Sequence, residues 1–217
     1  MTEPARRPLK SRQAAWAIRL SAALARGGAS PNGISFLSMV MATLAGAAFV
    51  VSGRVDGVAR VAALVTAAAG IQLRLVCNLL DGMVAVEGNR RSKSGEVWND
   101  APDRYADVAI LVGAGYALTQ WPHGIELGWL ASVLAVQTAY VRLLGGAAGL
   151  AQDFTGPMAK PHRMAAMTGA ALLSTLEGLV GLREGTLLLI GLAVVALGCL
   201  VTIGRRLVRI VRGLEAR

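Results

Sequence analysis

The sequence predicts an all-α membrane protein: six transmembrane helices preceded by an N-terminal amphipathic surface helix, in one domain over residues 1–217. Three observations carry that expectation. The chain is 54% hydrophobic and 16% charged, with mean hydropathy +0.54, whereas a soluble domain carries about a quarter charged residues. Its apolar residues fall in blocks of bilayer length rather than in stripes. Its cations gather at the ends of those blocks, where they set orientation.

Residues 1–27 are expected to form a cytosolic juxtamembrane segment. Within it, residues 12–26 suit a helix on the membrane surface, with Arg12, Arg19 and Arg26 along one side and Ala17, Leu20 and Leu24 opposite. No cleavable signal is expected, because the segment after the cluster of Arg6, Arg7, Lys10 and Arg12 is amphipathic. Residues 28–204 form the bundle. Ser30-Pro31-Asn32 reads as a helix start, a capping hydroxyl before a first-turn proline. Spans are expected at 34–51, 58–80, 108–121, 125–147, 164–182 and 186–203, with a polar loop at 152–163 and a basic cytosolic tail at 205–217.

The third apolar run has 14 residues, about 21 Å of helix against a core of about 30 Å. The polar stretch 99–107 must therefore continue that helix and face protein or a wet cavity. Lys and Arg concentrate at the N-terminus, at 90–93, at 160–163 and in the tail, while the opposite loops hold Arg54, Arg60 and Arg183. Both termini are thus expected in the cytosol, in a multi-pass protein of the inner (cytoplasmic) membrane. The net charge of +9 is assigned to orientation and anionic membrane lipids rather than to nucleic acid. Cys77 and Cys199 lie in apolar runs and are expected to pack, not to pair.

Residues 78–107 hold Asp81, Glu87, Glu96, Asp100, Asp103 and Asp107, six of the chain's thirteen acids. Acids placed where lipid belongs mark a functional site. Asn78 and Asp81 share a face at the end of the second span, and Asn99, Asp103 and Asp107 share a face of the third. The short connection makes these helices antiparallel neighbours, so their oxygens converge. Oxygen donors without His or Cys suit Mg2+ or Mn2+. Gly82 and Gly95 leave room for a ligand to approach the backbone. A purely structural account makes Asn99 or Asp100 an N-cap and Pro102 a first-turn proline, but leaves Asn78 and Asp81 unexplained. Arg74, seven residues before Asp81, is expected to face the cavity as counter-charge or phosphate contact. Arg142, Lys160 and Arg163 are further candidates to hold phosphate. His162 is expected to be solvated, and Glu177 has no partner readable from sequence.

Asp81-Gly82-Met83-Val84-Ala85, then Gly95, Asn99 and Asp103 at fixed spacing, resemble the CDP-alcohol phosphotransferase signature D-x-x-D-G-x-x-A-R, eight residues, G-x-x-x-D-x-x-x-D. The spacing matches without a gap. Asn78 stands at the first Asp, Asn99 at the third, and Val86 at the Arg. The resemblance implies a metal set of Asn78, Asp81, Asn99 and Asp103, with Asp100 or Asp107 as replacement charge and Arg90 or Arg91 for the missing Arg. It implies contacts to a CDP-linked lipid around Gly82, Ala85 and Gly95, with Asp103 as proton acceptor. The implied reaction is attack of an acceptor alcohol on the lipid-side phosphorus, expelling CMP, in a homodimer. Two other readings are a non-catalytic nucleotide-lipid binder, motivated by Asn78 and Asn99, and a small transporter. The absence of an internal repeat speaks against the latter.

Overall fold

A computed structural model describes residues 13–87 and 94–217, apart from the side chains of Glu87, Glu96 and Asn99. The expectations resting on Arg6, Arg7, Lys10, Arg12, Arg90, Arg91 and Lys93, and on the Asn99 side chain, lie outside the described residues. The described residues form α1 (Ala15–Arg26), α2 (Pro31–Ser52), α3 (Gly57–Glu87), α4 (Gly95–Tyr116), α5 (Gly124–Ala147), α6 (Lys160–Ser174) and α7 (Thr186–Glu215). A short 3-10 turn, Glu177–Val180, separates the last two.

Helices α2 to α7 form a ring in which neighbours run α2, α3, α6, α7, α5, α4 and back to α2. Its apolar interior includes Phe49, Ile71, Ile110, Leu111, Met164, Met167, Leu188 and Leu192. Where α2 crosses α4 there is no room for side chains: a Cβ on Gly46 would strike the Ala109 carbonyl, and one on Gly113 the Gly46 backbone. Small residues permit such backbone approach between membrane helices. Gly113→Ala is expected to cost about 1–3 kcal/mol by overpacking, whereas Gly169→Ala, with open space around it, costs far less. Thermal midpoints in detergent measure both, and equal midpoints would refute the tight crossing.

Among the described residues, four helices are long and apolar enough to cross a membrane: α2, α3 over Gly57–Val86, α5 and α7. Six were expected. Helix α4 has the requisite length, but its first half is polar, as the short apolar run requires, and α6 has only 15 residues. The fifth expected span, 164–182, is the clearest revision. Helix α6 begins at Lys160, so the first residues of the helix come from the expected loop, and it stops at Ser174. Glu177 stops it. This fully buried carboxylate accepts hydrogen bonds from Arg60 at 2.7 Å, Ser174 at 3.3 Å, and the backbone N–H groups of Gly185 and Leu187 at 2.8 and 2.7 Å.

The expected tail at 205–217 is also revised, because α7 continues to Glu215. Arg206 is buried there and donates to the carbonyls of Thr138 at 2.5 Å and Thr155 at 3.0 Å, so charge in this stretch ties helices together. Ser30 caps α2 as expected, accepting from Gly33 N at 3.1 Å. Helix α1 buries Ala17 against Leu79 and Met83 of α3 while Trp16, Ile18 and Leu20 stay exposed. Its apolar side is thus shared between protein and surroundings.

Candidate functional site at the α3, α4 and α6 ends

Helix α4 starts at Gly95 after Ser94, not at Pro102, which lies inside the helix. Proline there removes the N–H that would bond the carbonyl four residues back. Residues 99–107 are therefore helical throughout, and Asp100, Asp103 and Asp107 project at intervals of one turn. The expected side-by-side packing of α3 and α4 is not what brings the polar residues together. The two helices touch little, both packing on α2 instead, and polar side chains close the interval between them.

Asp103 is the centre of that closure. Its Oδ1 accepts from Asn78 Nδ2 at 2.5 Å and Arg74 Nη2 at 3.4 Å, and its Oδ2 accepts from Lys160 Nζ at 2.5 Å. One helical turn deeper, Asp107 is fully buried and receives Arg74 Nη2 at 3.0 Å and Arg163 Nη2 at 2.6 Å. Arg163 also donates to the Met158 carbonyl at 2.8 Å and Thr138 Oγ1 at 3.1 Å. Asp81, 5% exposed, accepts from Ser35 Oγ at 2.7 Å and from the N–H of Gly82 at 2.5 Å. Lys160 and Asp103 both lie within electrostatic reach of Asp81. Nearer the surface, Asp100 pairs with Arg142 at 2.6 Å and Arg104 at 3.6 Å, and Arg142 stacks over Phe154, 5.0 Å from the ring centre.

Thus Arg74, Asn78, Asp103 and Lys160 form one hydrogen-bonded cluster drawn from α3, α4 and the first turn of α6, with Asp81 one turn beyond Asn78 on α3. Arg74, expected to face the cavity as counter-charge or phosphate contact, donates to Asp103 and Asp107. Arg163 and Arg142 engage Asp107 and Asp100, so neither acid is free to serve as replacement metal charge. Ala85 and Gly95 are half-buried but outside the hydrogen-bonded cluster, and His162 is exposed. Sequence reading missed Ser35, Arg104 and the Asp107 clamp. Ser35 and Ser38, polar residues three apart within an apolar span, were the only local signal for the first.

The donors decide whether the expected metal set fits. Among the described residues no three His, Cys, Asp or Glu side chains are grouped to hold a metal ion. Asp81 and Asp103 supply two negative charges, Asn78 points its amide N–H at Asp103, and Lys160 already balances Asp103. Two divalent ions do not fit such a set, and one would have to displace Lys160.

No protein-family model matches the chain, and no curated protein matches it. Solved structures do. Phosphatidylinositol phosphate synthase (PgsA1) of Mycobacterium tuberculosis with CDP-DAG bound superposes with TM-score 0.74 at 19% identity, over 91% of this chain and 94% of that one. The chain shares the fold of that synthase. The same enzyme with manganese and citrate gives TM-score 0.73 at 18% identity, over 89% of this chain and 88% of that one. Its apo form gives 0.69 at 18% identity, covering 87% and 93%. At this identity the likeness speaks for the architecture, and the chemistry has to be argued from this chain's own residues.

Proposed function

We propose that the protein transfers the phosphatidyl group of a CDP-linked lipid, such as CDP-diacylglycerol, to an acceptor alcohol and releases CMP, in phospholipid synthesis. One observation carries this reading: Lys160 pairs with Asp103, which also accepts from Asn78, one turn from Asp81 on α3, at one end of a membrane-protein fold that, in the mycobacterial synthase, is seen with CDP-DAG bound. We read α2 to α7 as all crossing the cytoplasmic membrane, with the cluster at the cytosolic face, α1 and the basic helix ends against membrane lipids, and a homodimer as the assembly. Nucleic acid is not a partner in this reading.

The acceptor oxygen forms a bond to the lipid-side phosphorus as the bond to the CMP phosphate oxygen breaks, and that electron pair leaves with CMP. The alcohol proton passes to Asp103, a carboxylate placed for general-base work. As Asp103 takes the proton, its hold on Lys160 weakens, and the ammonium becomes free to follow the negative charge growing on departing CMP. Fixed cations aimed at developing phosphate charge are the main source of rate in phosphoryl transfer. Asp81, fixed by Ser35, positions the other side of the ion cluster. Gly82 and Ala85 border the approach on α3, and Gly95 that on α4. The sequence expectation of Mg2+ or Mn2+ on Asn78, Asp81, Asn99 and Asp103 reduces, on the donors described, to at most one ion.

CMP release from CDP-diacylglycerol, measured in membranes containing the protein over a panel of acceptor alcohols with Mg2+, Mn2+ or chelator, tests the proposal. Asp81→Asn and Asp103→Asn should each lower the rate at least about 100-fold. Silence of the wild type across the whole panel would overturn it. A second reading, a non-catalytic nucleotide-lipid binder, is favoured by the closure of both Asp103 oxygens by Asn78 and Lys160. Binding of CDP-diacylglycerol without turnover, persisting in Asn78→Asp/Asn99→Asp, would select it.

A further inference from the structure

The polar cluster has a surplus of donors. Five cations (Arg74, Arg104, Arg142, Lys160, Arg163) meet four carboxylates (Asp81, Asp100, Asp103, Asp107) among the described residues. Arg74 is fully buried, yet its Nε and Nη1 have no hydrogen-bond partner, and neither does Arg163 Nε. Buried unpaired donors are costly unless something accepts from them. A metal ion accepts no hydrogen bond and would add charge to a site already rich in it. Phosphate oxygens do accept, and would bring the missing negative charge.

Lys160 occupies a defined place in this arrangement. It is the first residue of α6, with Pro161 next to it in the first turn, so its side chain leaves a fixed backbone. Its Nζ touches Asp103 at 2.5 Å and lies within electrostatic reach of Asp81. Its side chain keeps 22% exposure against 9% for Asp103. The two asparagines complete the pattern, since Asn78 and Asn99 carry no charge where two more carboxylates would be needed to hold divalent ions.

We propose that Lys160 is the resident cation of this site: its tethered ammonium takes the place at Asp81 and Asp103 that a divalent metal would hold, so the diphosphate of the nucleotide-lipid binds without metal. The inference rests on the ligand proposed above, a CDP-linked lipid. It assigns Lys160 to the ligand's phosphate oxygens and makes Asp103 the group that aims it.

The test uses the purified full-length chain in neutral-lipid nanodiscs. Free Mn2+ is followed by electron paramagnetic resonance without nucleotide, and CDP-diacylglycerol binding is followed in EDTA and in Mn2+. Wild type should leave Mn2+ free and bind CDP-diacylglycerol within about threefold equally in both conditions, a difference of well under 1.4 kcal/mol. Lys160→Met should bind the lipid about 10- to 100-fold more weakly in EDTA, the loss of a hydrogen bond to a charged group, and Asn78→Asp/Lys160→Met should sequester Mn2+. Tight Mn2+ binding by the wild type, or loss of its lipid binding in EDTA, would overturn the proposal. If Lys160→Met fails to fold, Lys160→Arg decides: retained binding in EDTA supports the resident cation, and a new metal requirement overturns it. If the wild type binds no CDP-diacylglycerol in either condition, the functional reading falls. The manganese titration then judges Lys160 alone: Mn2+ ignored by wild type but held by Asn78→Asp/Lys160→Met supports it, and any other pattern overturns it.

Discussion

Asp107→Asn is expected to lower the stability of the bundle by about 3–5 kcal/mol, the usual cost of stripping the partner from a buried charge. Asp107 is fully buried and receives Arg74 at 3.0 Å and Arg163 at 2.6 Å. After the substitution Arg163 keeps only the neutral acceptors Met158 O and Thr138 Oγ1, and Arg74 keeps a long contact to Asp103. The companion variant Asp107→Asn/Arg163→Met removes the stranded charge and should recover a substantial part of the loss. Denaturation in detergent, followed by helical circular dichroism, measures both. A single variant as stable as wild type would show that Asp107 does not clamp α3, α4 and α6.

Glu177→Ala is expected to cost a similar amount, about 3–5 kcal/mol, at the other end of the molecule. The substitution takes the buried carboxylate from Arg60, which is 8% exposed and keeps Glu184 at 3.3 Å and the Ser174 carbonyl at 3.1 Å, and orphans the N–H groups of Gly185 and Leu187. The 3-10 turn after α6 should loosen, raising hydrogen exchange at residues 175–187 before that of the ring interior. Arg60→Met/Glu177→Gln keeps an acceptor for the backbone and removes the unpaired charge, so it should be milder than Glu177→Ala. Equal losses in the two variants would assign the effect to the turn rather than to the ion pair.

The chain's path through the bundle was legible where apolar block length decided it. α2, α5 and the polar start of α4 lie where the block lengths place them, the last because 14 apolar residues cannot finish a crossing alone. Blocks alone do not show that a glutamate inside one will be buried against an arginine 117 positions away. Glu177 therefore shortened α6 in a way no local pattern announces. Arg206 extended α7 for a related reason, since its partners lie on α5 and in the loop after it. At the candidate site, spacing singled out Asn78, Asp81 and Asp103 because one-turn intervals on two helices are local information. Lys160 was noticed as a cation, but its contact with Asp103 depends on α6 standing beside α3 in the ring, which no spacing encodes.

Helices α3 and α4 are not neighbours in the ring, and what joins them across it differs in kind from what joins α2 to α4. Between α2 and α4 the backbones meet at glycines, an intimacy that neither solvent nor ligand can share. Between α3 and α4 the join is made by Arg74, Asn78, Asp103 and Asp107, whose attractions fade where water raises the local dielectric and where another anion takes the same donors. On the proposed reading, the diphosphate of a nucleotide-lipid would therefore compete with the protein for the same donors that join the two helices.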